Sequence, residues 1–140
     1  MKNVNDLIAL LNLEKIGKNT FKGVSKTIGS PNVFGGQVLA QSLNAANRTV
    51  PKERILHSLH SYFLEAGKLE IPIIFEVEEM RDGGSFSTRR VKATQNGVTI
   101  FILAASFHKI EKGYTHQKAM ETHIQPPEEL ISWSEMVAQF

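Results

Sequence analysis

From Gly36 to Val50 the chain carries no acid and a single base, Arg48, among small and apolar residues. Leu39, Leu43, Ala46 and Val50 recur at helical spacing, Val38, Ala40 and Ala45 widen the apolar surface, and Pro51 stops the run. The pattern predicts one long helix with too little charge for a solvated surface, so other elements must cover it. Its alanines allow close approach to a sheet. Its entry, Val33-Phe34-Gly35-Gly36-Gln37, puts two glycines where backbone N–H groups lack helical partners and favour an anion or a carbonyl oxygen.

Four strand patterns follow, over residues 55–64, 71–80, 85–95 and 98–107. In the second, Ile71, Ile73, Phe75 and Val77 alternate with Glu76 and Glu78, the mark of a half-buried strand. Arg81-Asp82-Gly83-Gly84 and Asn96-Gly97 predict hairpin turns between the later strands. The fourth run is apolar on both faces, which predicts a strand flanked on both sides. Upstream, residues 4–14 read as an amphipathic helix with Leu7, Ile8 and Leu11 on its buried face, and residues 20–28 as a polar strand near an edge. The class is α+β, an antiparallel sheet wrapped around a long central helix.

Residues 113–125 read as an irregular linker. Pro126-Pro127-Glu128-Glu129 reads as a helix start, with an apolar stripe of Leu130, Trp133, Val137 and Phe140 behind it. The helix bearing Trp133 is expected to be exposed and to make further contacts.

A chain of 140 residues with no cysteine is one ordinary domain without disulfides or thiolate chemistry. His108, His116 and His123 lack ligand spacing, so no metal site is expected. A net charge of +2 is too weak to argue for nucleic acid. No apolar run is long enough to span a bilayer, and the start Met1-Lys2-Asn3-Val4 lacks a signal-peptide pattern, so a cytoplasmic protein is expected. No acid lies between Glu14 and Glu53, an interval holding Lys15, Lys18, Lys22, Lys26, Arg48 and Lys52. These are either ordinary solvated side chains or a mildly positive surface suited to a phosphate-bearing ligand.

Several ordered stretches resemble the acyl-CoA thioesterase II family. They are Leu10-Leu11-Asn12-Leu13-Glu14-Lys15-Ile16, Val33-Phe34-Gly35-Gly36-Gln37-Val38 and His57-Ser58-Leu59-His60-Ser61-Tyr62-Phe63-Leu64. Arg81-Asp82-Gly83-Gly84-Ser85-Phe86-Ser87-Thr88-Arg89-Arg90-Val91, Gln95-Asn96-Gly97, Ala105-Ser106-Phe107 and His116-Gln117-Lys118 continue the match. The resemblance implies a hotdog fold and cleavage of fatty acyl-CoA to free fatty acid and coenzyme A. It implies two hotdog repeats per polypeptide, so residues 1–112 are expected to form the first and residues 113–140 the linker and the start of a helix leading to an absent second repeat. The family's catalytic carboxylate, hydroxyl and glutamine belong to that second repeat. The implied partners are an acyl-CoA substrate and a second hotdog domain, or a second copy of this chain as a homodimer. Coenzyme A enters only as part of the substrate, with no other cofactor. A related dehydratase would use an Asp-His pair near the helix, which this sequence lacks.

Thioester hydrolysis needs a held water, a group that takes its proton, and donors for the developing oxyanion. Phe34, Gly35, Gly36 and Gln37 are the expected substrate-binding residues, although the same glycines equally serve a tight turn and close packing. The helix offers Gln37, Gln41, Ser42, Asn44 and Asn47 but no acid, and an amide cannot take a proton at neutral pH. His57 is the remaining catalytic candidate, against a structural reading in which its ring bonds a neighbouring strand. His60 is of opposite parity, which predicts opposite faces. Arg89 and Arg90 likewise point apart, one of them toward a phosphate or a partner carboxylate and at least one onto a solvated strand face, and Asp82, in a turn, is expected to bond its own backbone rather than act in catalysis. A non-catalytic acyl-CoA-binding or structural module that pairs with another hotdog domain is the alternative reading.

Overall fold

A computed structural model describes residues 3–139; Met1, Lys2 and Phe140, the last member of the C-terminal stripe, lie outside the described residues. The elements run α1 (Val4–Leu11), β1 (Glu14–Lys15), β2 (Thr20–Gly23), α2 (Gly35–Asn47), β3 (Arg54–Phe63), β4 (Ile73–Asp82), β5 (Phe86–Gln95), β6 (Val98–Lys109) and α3 (Trp133–Val137). Six strands make one antiparallel sheet in the order β1-β2-β4-β5-β6-β3. α2 lies across its inner face, so the expected α+β arrangement of a sheet around one long helix is present.

The core is the layer between them. Phe21, Ile73, Phe75, Val91, Ala93, Phe101, Leu103 and Phe107 are almost fully buried from the sheet side, and Val38, Ala45 and Ala46 from the helix. The expected helical stripe is rotated from its place. The most buried positions of α2 are Gln37, Val38, Gln41, Ser42, Ala45 and Ala46, while Leu39, Leu43 and Val50 are only partly covered. Small side chains bring the helix axis close to the sheet, and the two glutamines are buried because backbone carbonyls meet them there.

Asn96 and Gly97 both take positive φ, 49° and 80°, as a two-residue hairpin of the twist-matched type requires. The outer face of β4 and β5 carries two cross-strand ion pairs, Lys92–Glu76 at 2.8 Å and Arg90–Glu78 at 2.9 Å, and remains solvated.

Three expectations need correction. α1 ends at Leu11 rather than residue 14 and buries Leu10, leaving Leu7 and Ile8 largely exposed. β2 stops at Gly23, because beyond it the glutamines of α2 take over the backbone groups; the short β1 lies outside it as the true edge. At the C-terminus the prolines and acids do open a 3₁₀ turn, Pro127–Glu129, but it does not run on into the α-helix, which starts separately at Trp133 where Ser132 and Glu135 form a reciprocal capping box. Residues 110–139 are exposed throughout, Trp133 included. Among the described residues no helix is long and apolar enough to cross a membrane.

Candidate active site

The entry to α2 is pinned from behind. Val33 N–H donates to the Gly67 carbonyl at 2.8 Å, and Asn32 bridges Lys68, which ties the loop to the segment following β3. Phe34 is extended (φ −63°, ψ 126°), and its carbonyl accepts from the N–H groups of Gln37 and Val38. No side chain caps the helix and no acid sits in its first turn. The N–H groups of Gly35 and Gly36 therefore have no acceptor within the described chain, at the positive end of a helix. A carbonyl oxygen acquiring negative charge is the kind of group that fits there.

Each glycine has its own steric reason. A Cβ on Gly35 would stand 2.9 Å from the Phe63 ring, and one on Gly36 would stand 2.5 Å from the Phe34 ring. The close-packing reading of the pair is thus part of the structure, and it leaves their N–H groups free for the other use.

Two hollows flank this first turn. One, of about 370 Å³, is lined by Asn32, Gly35, Val38, Phe63, Glu65 and Gly67 among others. The other, of about 150 Å³, lies between α1 and α2, and its accessible wall is wholly apolar. The two residues that separate them, Gly35 and Gly36, carry the free N–H groups.

Gln37 does not face either hollow as a free amide. Its Oε1 accepts from Lys26 N–H and its Nε2 donates to the Val24 carbonyl, both at 3.3 Å. Gln41, fully buried beside it, donates to the carbonyls of Leu10 (2.8 Å) and Val24 (3.0 Å). The pair staples α1 and the strand-end segment onto the helix. Glu65 is the residue the sequence reasoning missed. It follows β3 in a loop whose Leu64 and Glu65 N–H groups both bond the Ile100 carbonyl, and it brings an exposed carboxylate to the larger hollow. No helical periodicity could have flagged it.

His57 sits elsewhere. The ladder slips between Leu56 and Ser58, so His57 is the extra residue of a bulge. Its Nε2 lies 2.8 Å from Ser106 Oγ, and its ring packs edge-on against Phe86 at 5.5 Å and His108 at 6.0 Å. Phe107 and Ala105 face the core, so Ser106 faces outward and His57 with it, on the side of the sheet away from α2. The structure does not bring His57 to Phe34, Gly35, Gly36 or Gln37 within one copy of the chain. The bulge also resets the alternation, so His60, paired with the exposed Ala104, shares the outer face with His57 rather than opposing it.

The far end of α2 holds a buried polar knot. Arg89 is fully buried and donates to Thr49 Oγ1 (2.9 Å), to the carbonyls of Thr49, Thr88 and Arg81, and to both Asp82 oxygens at 3.0 Å. A cation there also complements the helix C-terminus. The expectation that Asp82 bonds its own backbone is overturned. Its side chain accepts from Arg89 and, at 2.5 Å, from the Ser87 hydroxyl. The hydrogen bond from Arg89, then that from Ser87, holds its carboxyl below the usual aspartate value. A carboxylate with a lowered folded pKa adds stability that is complete above the unfolded value, near 3.8, and is lost as pH falls through the folded one. The Asp82→Asn variant is therefore expected to show a shallower fall of melting temperature below about pH 4, measured in a pH series against the parent. Parallel curves would refute the linkage. Arg90, in contrast, makes an exposed pair with Glu78.

Residues 23–108 match a family model described as the acyl-CoA thioesterase N-terminal domain. The chain is 50% identical over 117 residues to acyl-CoA thioesterase 2 of Haemophilus influenzae, covering 84% of this chain and 41% of that protein. Among solved structures, acyl-CoA thioesterase II TesB2 of Mycobacterium marinum superposes with a TM-score of 0.75 at 43% identity, over 87% of this chain and 44% of that one. A hot dog fold protein of Alicyclobacillus acidocaldarius superposes with a TM-score of 0.70 at 22% identity, over 87% and 46%, and shows the fold alone. The chain spans about two fifths of the length of the curated relatives it matches.

Proposed function

We infer that this chain, which belongs to the acyl-CoA thioesterase N-terminal domain family, binds a fatty acyl-CoA at the first turn of α2 and takes part in its hydrolysis to fatty acid and coenzyme A. The observation that carries this reading is the pair of acceptor-free N–H groups of Gly35 and Gly36, set between a mixed and an apolar hollow. They are suited to a thioester carbonyl whose oxygen gains charge as water adds. Phe34 and Gly35 then line the substrate path, and Gln37 acts by holding the turn. The reaction needs water and no further cofactor; coenzyme A is part of the substrate.

The helix supplies no group that takes a proton, so the hydrolytic water is assigned to a second hotdog domain. Residues 113–140 serve as the linker in this reading, and either a second repeat or a second copy of the chain is the partner. The unpaired side of β3 is the natural seam. Antiparallel pairing there sets the Arg54 end of one strand beside the Phe63 end of the other, and so beside the other α2 entry. His57 stays on the outer face of such a pair and is left out of the chemistry. The same lack of an acid on α2 favours the second reading, a binding module that hydrolyses nothing itself.

The test is hydrolysis of acyl-CoA by this chain and by a protein extended through a second repeat. The extended protein is expected to turn over at least a hundredfold faster, the scale of a positioned acid–base group. Equal turnover by the short chain, abolished in its Glu65→Gln variant, would relocate the base to Glu65 and end the incomplete-site reading.

A further inference from the structure

The apolar hollow has a definite shape and a definite position. Leu7, Leu10 and Leu11 of α1 line it from one helix, Gly36 and Ala40 of α2 from the other, and Ile28 and Phe34 complete the apolar lining. Gln37 borders it, but both ends of its amide are engaged by the backbone of Val24 and Lys26, so the free polar group beside the hollow is the Gly36 N–H at its mouth. A space of about 150 Å³ with apolar walls has room for a ligand of about six carbons. It opens beside Gly36, on the opposite side of the turn from the Asn32 and Glu65 hollow. The wall supplied by α1 lies outside residues 23–108.

We propose that this cleft between α1 and α2 seats the acyl tail and limits its length to about six carbons beyond the thioester, while the pantetheine arm leaves through the larger hollow. The proposal rests on the acyl-CoA reading above and adds to it a direction for the substrate and a ruler for its chain. Polarity decides the direction. A tail of methylenes gains about fourfold in affinity for each group it buries, and only the 150 Å³ side offers a purely apolar wall. The amide-bearing pantetheine arm needs polar partners, which the side with Asn32, Glu65 and backbone from Glu65 to Gly67 provides. Phe34 is half exposed and its ring lies over Gly36, so it forms the sill over which the tail enters.

Calorimetric titration of the full chain with coenzyme A, acetyl-, butyryl-, hexanoyl-, octanoyl- and palmitoyl-CoA tests this. Affinity is expected to climb by about a thousandfold from acetyl to the hexanoyl–octanoyl range and to stop climbing beyond it. Ala40→Leu, which fills the cleft, is expected to bring hexanoyl-CoA down at least tenfold with acetyl-CoA unchanged. Leu7→Ala, at a half-exposed wall position that the fold does not depend on, is expected to move the plateau to longer tails. Circular dichroism verifies that both variants fold, and the Leu7 variant carries the test if the Ala40 variant does not. Affinity that rises through palmitoyl-CoA and ignores both substitutions overturns the cleft while leaving acyl-CoA binding standing. Failure of every acyl-CoA to bind, or a preference for coenzyme A alone, overturns the cleft and the acyl-CoA reading together.

Discussion

Arg89→Met is expected to lower the unfolding free energy by about 3 kcal/mol, read in urea as a lower midpoint with an unchanged slope. Methionine fills much of the space but donates nothing. Thr49, Thr88 and Arg81 then keep carbonyls whose guanidinium partner is gone, and Thr49 Oγ1 loses its contact too. Each such group costs about 1–3 kcal/mol if it stays dry. Asp82 adds little to the loss, because its side chain is 46% exposed and regains water. The neighbouring Arg90→Met supplies the contrast. Its partner Glu78 and its own head are both exposed, so a change within about 0.5 kcal/mol is expected. If the two variants lose the same amount, the buried knot at the end of α2 is not what holds the β4–β5 hairpin to the helix.

Gln41→Leu is the second large effect, expected at about 2 kcal/mol and concentrated in α1. The Leu10 carbonyl is one of the orphan acceptors of the last turn of α1, and Gln41 Nε2 satisfies it at 2.8 Å. Leucine leaves it unpaired next to an apolar side chain. The Val24 carbonyl suffers less, since Gln37 Nε2 stands 3.3 Å away. Amide hydrogen exchange is the measurement. The amides of α1 are expected to exchange faster while those of β5 and β6 hold their protection. Uniform loss of protection would mean that Gln41 supports the whole core rather than the attachment of one helix. Since α1 forms a wall of the apolar cleft, the same variant is expected to blunt any dependence on acyl length.

The strands and the long helix are legible because burial on one face forces a period, and β3 to β6 fall within about two residues of the pattern. What the period cannot carry is a change of phase. The extra residue at His57 leaves no mark in composition, yet it turns the next side chains over and puts His57 and His60 on one face. Short edges are equally silent. Glu14 and Lys15 pair with Lys22 and Phe21 only because β2 happens to lie there. The polar contacts that organise the site run from one element or loop to another. A glutamine in a helix reads as a surface residue or a water ligand until the carbonyls it serves, thirty-one positions away for Gln41 and Leu10, are in place. Asp82 reads as a turn former for the same reason, since nothing local announces that Arg89 is buried across the hairpin. The glycine pair is the site feature that could be read, because its chemistry is in its own backbone.

The strand order also fixes a sequence of events in time. A ribosome delivers α2 and β3 well before β6, yet among the described residues β3 has no neighbour in the sheet except β6, with Arg54 opposite Lys109 and Phe63 opposite Phe101. The hairpins β4–β5 and β5–β6 close over short turns within microseconds, whereas β3 must wait for the last strand and bridge a long loop. Until then the nascent chain presents a nearly uncharged helix and a lone strand to its surroundings. Synthesis paused after Gln95 is expected to yield a chaperone-bound chain, and emergence of residues through Lys109 to release it.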